Sequence, residues 1–415
     1  MNESACYRIH VLELVSSLDK GGRTVRILEG ARCLQEGGFE ISVRSFSPPA
    51  PWVTSRWPEI KDIERIEKKK GIDPACILRL CKLIRKNKID ILHAHTEDAL
   101  LYGGLAARIM RIPAIGTFHR SRPECYEPTL KSRIWNRLMA KQIAVSKSFR
   151  TLMIGRTNVP ANRVSVIHGS VDMSRFPMVD SAEKAAIRQR LNIPLDAPIL
   201  LSMGHLGPIK GHDVVLRAMP SIHRHFPKAK LYIAGDGSDD ERGELESLAN
   251  DLAIANDTIL LGQIHNPAEW FAACDLFVLS PRQEAFGLVF VEAASSGRPA
   301  IASRIGGIPE IVEHDKTGLL VEPEDSKGIA NAVLELLHSP ERIEAMGVNA
   351  RRHAAAHFSN ECLARAYANL ILALVPSAKA NGHLSHCAQF EQAIYSDAAN
   401  TSNPSGMHFS AAAEH

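Results

Sequence analysis

Short apolar runs rich in Val and Ile alternate with amphipathic stretches along most of the chain. In the first half, residues 9–15, 40–46, 89–93, 114–117, 143–145 and 164–167 predict strands. Helix-period segments at 22–35, 74–86, 98–110 and 129–141 follow several of them. A second series of strands is predicted at 199–203, 230–234, 258–261, 276–279 and 299–302. Strands alternating with helices imply parallel sheets covered on both faces. Each series is long enough for its own α/β, doubly wound domain. The reading is a first domain over 1–175, a linker over 176–198 and a second domain over 199–357. An amphipathic helix over 358–374 follows. From 375 to 415 Ala, Ser, Asn, His and Gly recur without a period, which predicts a disordered tail.

The most informative stretch is 280–297, SPRQEAFGLVFVEAASSG. It sets Glu284 in a loop before a helix and Glu292 on that helix, with Phe286-Gly287 at the junction. A helix starting there aims free N–H groups and its positive dipole end at what precedes it, which favours a phosphate or pyrophosphate. Glycine allows close approach to the backbone. Carboxylates flanking such a site suit sugar hydroxyls rather than phosphate. About 7.5 Å of helix separates Gly287 from Glu292, so the two acids can reach sugars on opposite sides of a diphosphate. The spacing fits a nucleotide diphosphate sugar.

This block continues through Arg298-Pro299 to Ile305-Gly306-Gly307-Ile308-Pro309-Glu310 and Lys316-Thr317-Gly318-Leu319-Leu320. It resembles the E-x7-E region of family 4 glycosyltransferases, retaining enzymes of the GT-B fold with two Rossmann-like domains facing a cleft. The resemblance implies that Glu284 contacts the donor sugar, Glu292 binds the ribose, and Gly287, Leu288 and Val289 hold the diphosphate, with Phe286 beside them. It further implies that the last helix crosses back onto the first domain. The loop Gly204-His205-Leu206-Gly207-Pro208-Ile209-Lys210-Gly211 is similar to that family's diphosphate clamp. Lys210 matches and supplies a point charge for phosphate. His205 stands where the family has Arg, and as a weaker anion ligand it reads either as a phosphate contact or as a neutral hydrogen-bonder. Gly21-Gly22, after the first strand, matches a Gly-Gly pair near the donor phosphates. His119, past the strand at 114–117, matches a His near the donor sugar and acceptor. Gly169-Ser170 departs from the family's Asn-Gly, so no catalytic role is assigned there.

Composition adds limits. The chain has 415 residues, 45% hydrophobic and 23% charged, with net charge +3, ordinary for a globular protein without general polyanion affinity. The eight cysteines show no zinc spacing and read as reduced thiols, and no apolar run reaches membrane-spanning length. The expectation is a cytoplasmic protein. His93 and His95 share a strand face, but the sequence offers no evident third ligand for a metal. No Asp-x-Asp occurs, so the expectation is no cofactor and no strict need for a metal. Between Arg108 and Arg163 twelve basic residues stand against Glu124 and Glu127, and the segment 130–141 interleaves them with Ile134, Trp135, Leu138 and Met139. That pattern suits either a solvated basic face or peripheral contact with the inner face of an anionic membrane. No motif for nucleic acid accompanies it.

The sequence thus points to a retaining transferase moving a sugar from a nucleotide diphosphate sugar, UDP-linked first and GDP-linked next, to a glycan or lipid-linked acceptor in surface polysaccharide or glycolipid synthesis. His119, Glu284 and Lys210 are its expected catalytic groups. Two alternatives stay open: a sugar-nucleotide 2-epimerase of the same fold, and a non-catalytic nucleotide-sugar-binding protein.

Overall fold

A computed structural model describes residues 7–19, 21–118, 129–157 and 159–383. The first sheet contains β1 (His10–Val15), β2 (Glu40–Ser45), β3 (Ile63–Arg65), β4 (Ile91–Ala94), β5 (Ala114–Thr117), β6 (Lys141–Ala144) and β7 (Val164–Val166). The second contains β8 (Ile199–Met203), β9 (Lys230–Ala234), β10 (Thr258–Gly262), β11 (Leu276–Leu279), β12 (Ala300–Ser303) and β13 (Gly318–Val321). Their orders are β3-β2-β1-β4-β5-β6-β7 and β10-β9-β8-β11-β12-β13, parallel throughout. These are two Rossmann-like domains, as the alternation of runs predicts. Strands such as β1, β4 and β11 are buried along almost their whole length. Helices on both faces leave no solvent side, hence the near-continuous apolar runs.

In each sheet the order reverses beside the first strand of its domain, between β1 and β4 and between β8 and β11. Ligands of open α/β sheets bind in the crevice outside the carboxyl ends at such a point. The loops leaving β1, β8 and β11 carry Gly21-Gly22, Lys210 and Glu284 respectively.

Two parts of the sequence reading need correction. The segment read as a linker contains a helix, Ser181–Arg190, fastened to the second domain. Asp180 and Glu183 close a capping box at its start, and buried Arg188 bonds Ala273 O at 2.8 Å and Asp275 Oδ2 at 2.8 Å. The expected tail is ordered as far as His383. Residues 377–383 are helical, Lys379 pairs with buried Asp90, and His383 Nδ1 accepts from Ile9 N at 3.3 Å.

The last amphipathic helix runs Asn360–Leu372, started by Ser359 accepting from Cys362 N. It buries Leu363, Tyr367 and Ile371 in the core of the first domain. Burying each such side chain contributes about 1.5–3 kcal/mol, enough to hold the crossing.

Candidate functional site

β11 ends at Leu279 and the chain turns through Glu284 into the helix Leu288–Ser295. Gly287, the N-cap, takes φ 104° and supplies no capping side chain, so the helix opens with unbonded N–H groups. A Cβ at Gly287 would lie 2.8 Å from Phe290 Cδ2, so any larger residue there would be strained and would displace that ring. Glu292 follows five residues on. Opposite, β8 leads into the turn that presents Lys210, whose Nζ bonds Glu284 Oε2 at 2.7 Å. A carboxylate and a cation are thus held as a pair beside one helix end.

These groups line a cavity of about 430 Å³ between the sheets, within the usual range for small-ligand sites. Gly22, Lys210, Glu284, Phe286, Gly287, Leu288, Val289 and Glu292 all face it. Gly22 approaches Leu288 closely, since a Cβ there would lie 3.9 Å from Leu288 Cδ1. The N-termini of the helices Gly22–Glu36 and Leu288–Ser295 therefore approach each other across the cleft. Two expected residues are not brought in. Gly21 is the exposed N-cap of the first of these helices, outside the lining. His205 is outside the lining as well: its Nδ1 accepts from Gly207 N at 3.0 Å and lies 3.8 Å from Glu241. His119 lies outside the described residues.

Glu292 is the unusual acid. Burial pushes its carboxyl up to about 7, against the pull of Arg175 and Arg56. Those two arginines, with Arg23 and Arg26, also line the cavity and were not singled out from the sequence. The available signal was Gly-Gly-Arg-x-x-Arg, which puts both side chains of the pair on one face of the first turns. Arg26 is 6% exposed; one of its Nη groups donates to Ile167 O, while its Nε has no partner.

The domains also touch through Glu310. Its carboxylate accepts from Lys147 N (3.0 Å) and Ser148 N (3.2 Å) at the start of a first-domain helix, and meets His168 Nε2 at 2.8 Å. Ser146 Oγ donates to Ala285 O at 2.8 Å beside it. The Gly287 loop is thereby anchored to the first domain.

Among the described residues, Glu13, His93 and His95 form the group able to hold a metal, with ligating atoms within 4.8 Å of one another. Glu13 is the third potential ligand that the sequence did not reveal, brought in by the pairing of β1 with β4. In the structure its carboxylate bonds both imidazoles, at 3.0 Å and 2.5 Å, and His93 Nε2 meets Thr117 Oγ1 at 2.6 Å. Burial opposes the Glu13 charge, but the imidazoles bring its carboxyl down to about 2, while burial takes His95 down to about 4.

Comparison with known proteins agrees with this geometry. Residues 183–353 match the family described as "Glycosyl transferases group 1", and residues 20–175 match "Glycosyltransferase Family 4". The chain is 30% identical over 380 residues to D-inositol 3-phosphate glycosyltransferase 2 of Catenulispora acidiphila, covering 81% of this chain and 86% of that one. It is 34% identical over 222 residues to a GDP-mannose-dependent phosphatidylinositol monomannoside mannosyltransferase of Mycobacterium tuberculosis, covering 51% and 56%. Among solved structures, Anabaena HepE in complex with UDP superposes with TM-score 0.79 at 22% identity, over 88% of this chain and 100% of that one. At that identity the likeness establishes the shared fold.

Proposed function

Because the chain belongs to the family 4 glycosyltransferases of GT-B fold, we propose that it transfers a sugar, with retention of configuration, from a nucleotide diphosphate sugar to an acceptor hydroxyl. The observation that carries this reading is the convergence of Lys210, Glu284, Glu292 and the helix end at Gly287 on one cavity between the domains. UDP is the first donor nucleotide to test. The solved relative is a UDP complex, and the mycobacterial relative is named for GDP-mannose.

The bond between the anomeric carbon and the β-phosphate oxygen breaks, and its electron pair leaves with the diphosphate. The acceptor hydroxyl oxygen bonds that carbon on the same face, and its proton passes to a phosphate oxygen. Charge growing on the leaving group is met by Lys210 and the N–H groups of Leu288 and Val289, fixed before reaction. Glu284 accepts from sugar hydroxyls and orients Lys210 through their ion pair. Glu292 accepts from the ribose. His119, which the resemblance puts near the donor sugar and the acceptor, orients the reacting groups. No metal is needed where a lysine and a helix end supply the positive charge, so activity is expected to survive a chelator.

For a lipid-linked acceptor, the first domain offers Leu130 (76% exposed) and Ile134 on the helix Leu130–Leu138, alongside Arg133 and Arg137. Trp135 and Met139, which the sequence pattern grouped with them, are buried in the core. Among the described residues no helix is long and apolar enough to cross a membrane.

Calorimetric binding of UDP, GDP and ADP to wild type and Glu292→Ala tests the reading. One nucleotide should bind saturably and lose most of its affinity in the variant. Absence of binding by all three to folded protein would remove the donor site.

A further inference from the structure

The middle of the first sheet holds three polar side chains where parallel strands covered on both faces usually carry apolar ones. Glu13 on β1 pairs in register with His93 on β4, and His95 follows on the same face. All three are buried, and none of them lines the cavity, so the transfer chemistry does not use them. His93 Nδ1 and His95 Nε2 both meet one carboxylate oxygen, Glu13 Oε2, at 3.0 Å and 2.5 Å. Three ligand atoms from two paired strands thus converge on one point. Ligands of a tetrahedral ion held at about 2.0–2.1 Å stand about 3.3 Å apart, so side-chain shifts under about 1 Å would seat one.

We infer that Glu13, His93 and His95 bind one first-row divalent transition-metal ion, zinc first, which ties β1 to β4 beneath the cleft. Two imidazoles and a carboxylate suit such an ion, whereas magnesium and calcium favour oxygen ligands throughout. The surroundings of His93 fit the same role. Its Nε2 meets Thr117 Oγ1 at 2.6 Å; a proton donated there leaves the Nδ1 lone pair aimed at the site. With no ion, hydrogen bonds from both rings to Glu13 require the opposite tautomer of His93. Arg26 bears on His95 from the cavity side, so the Glu13 carboxylate is what makes a further cation there tenable. Three protein ligands leave a fourth position for water. The ion would brace the sheet and, through the Tyr367 ring 5.4 Å from His93, the crossing helix Asn360–Leu372. It would not touch the departing diphosphate, which accords with transfer surviving a chelator.

The test strips the purified full-length chain with a chelator, then titrates Zn2+ by calorimetry and Co2+ by visible absorption. Wild type should bind one ion, and the cobalt form should show the intense bands of a four-coordinate site. Glu13→Gln and His95→Gln should each weaken zinc at least tenfold. Thr117→Val, which removes the partner that orients His93, should weaken it about tenfold. His353 and His357, with ring centroids 4.8 Å apart on the helix Pro340–Phe358, are the competing pair, and His357→Gln should leave binding unchanged. If the buried variants unfold, X-ray absorption of zinc-loaded wild type decides, with two imidazoles and a carboxylate expected around the ion. Failure of the stripped wild type to take up either ion overturns the inference. So does binding that is lost in His357→Gln and kept in Glu13→Gln, or an ion held by oxygen ligands alone.

Discussion

On the second domain's wall the lining lysine, Lys210, is matched by Glu284 at 2.7 Å, whereas on the first domain's wall Arg56 lies near Arg175 with no carboxylate within ion-pair reach. The two sheets share a parallel topology and a strand-order reversal at the cleft, so architecture does not account for the difference. It comes from a few loop and first-turn residues. One wall is already neutralised and can orient a ligand without reorganising. On the other, burial and then Arg175 lower the pKa of Arg56, while Arg23 meets Asp19 at 3.8 Å. Within one cavity, the shared fold places the walls and a few side chains set the charge of each.

The strongest test of the paired wall is Lys210→Ala, which should lower kcat/KM for sugar transfer by about 100- to 1000-fold, the usual loss of one positioned charge at a leaving group. A smaller loss, under tenfold, would mean that the helix end at Gly287 suffices. Next comes pH. Burial takes Glu292 to about 7, above its unfolded value, so the empty folded protein holds a proton there that the unfolded chain releases near 4.5. Between those values the folded state binds more protons, and this contribution to stability is lost as pH rises toward 7. Ribose hydroxyls need the ionised form as acceptor. Nucleotide affinity should therefore rise about tenfold between pH 6 and 8, and stay flat in Glu292→Gln. A rise retained in that variant would place the titrating group elsewhere.

A third test separates backbone from charge. Gly287→Ala should cost about 1–3 kcal/mol in thermal or denaturant unfolding, because an alanine at φ 104° is strained and its Cβ meets Phe290. The smallest effect is expected far from the cleft. Lys379→Ala should change stability by less than about 1 kcal/mol, since Asp90 keeps its bonds from Tyr7 and His10 N. A large loss there would give the segment past Pro376 more weight than its contacts suggest.

Parallel strands buried on both faces announce themselves, which is why β5, β8, β9 and β11 were readable to the residue. β3 was not: Ile63-Glu64-Arg65 is a short edge strand with two charged residues and no apolar run. The helix Ser181–Arg190 was hidden for a related reason. It is mostly polar, and it is held to the second domain by distant partners, such as Asp275 for Lys184 and Arg188 and Glu269 for Arg190. The site divides in the same way. Glu284, Gly287 and Glu292 fall within one loop and helix, so local spacing exposes them. Glu13 reads as an ordinary strand residue until β1 pairs with β4, and the arginines gather from three separate elements. The contacts of His205 are local too, with the Gly207 N–H on its ring and Glu241 at 3.8 Å, but the sequence motif did not show them.

The chain crosses between the domains twice, and the crossings lie against each other. Val171 N bonds Phe358 O at 3.0 Å, Ser170 Oγ bonds Asn360 Oδ1 at 2.8 Å, and Val171 and Ser359 form a parallel bridge. A single connecting strand permits torsion about its own length as freely as bending. Two strands laced side by side resist torsion and leave one soft bending axis. The paired crossings thus work with the Ser146–Ala285 and Glu310–Lys147 contacts to hold the Gly287 loop opposite Gly22.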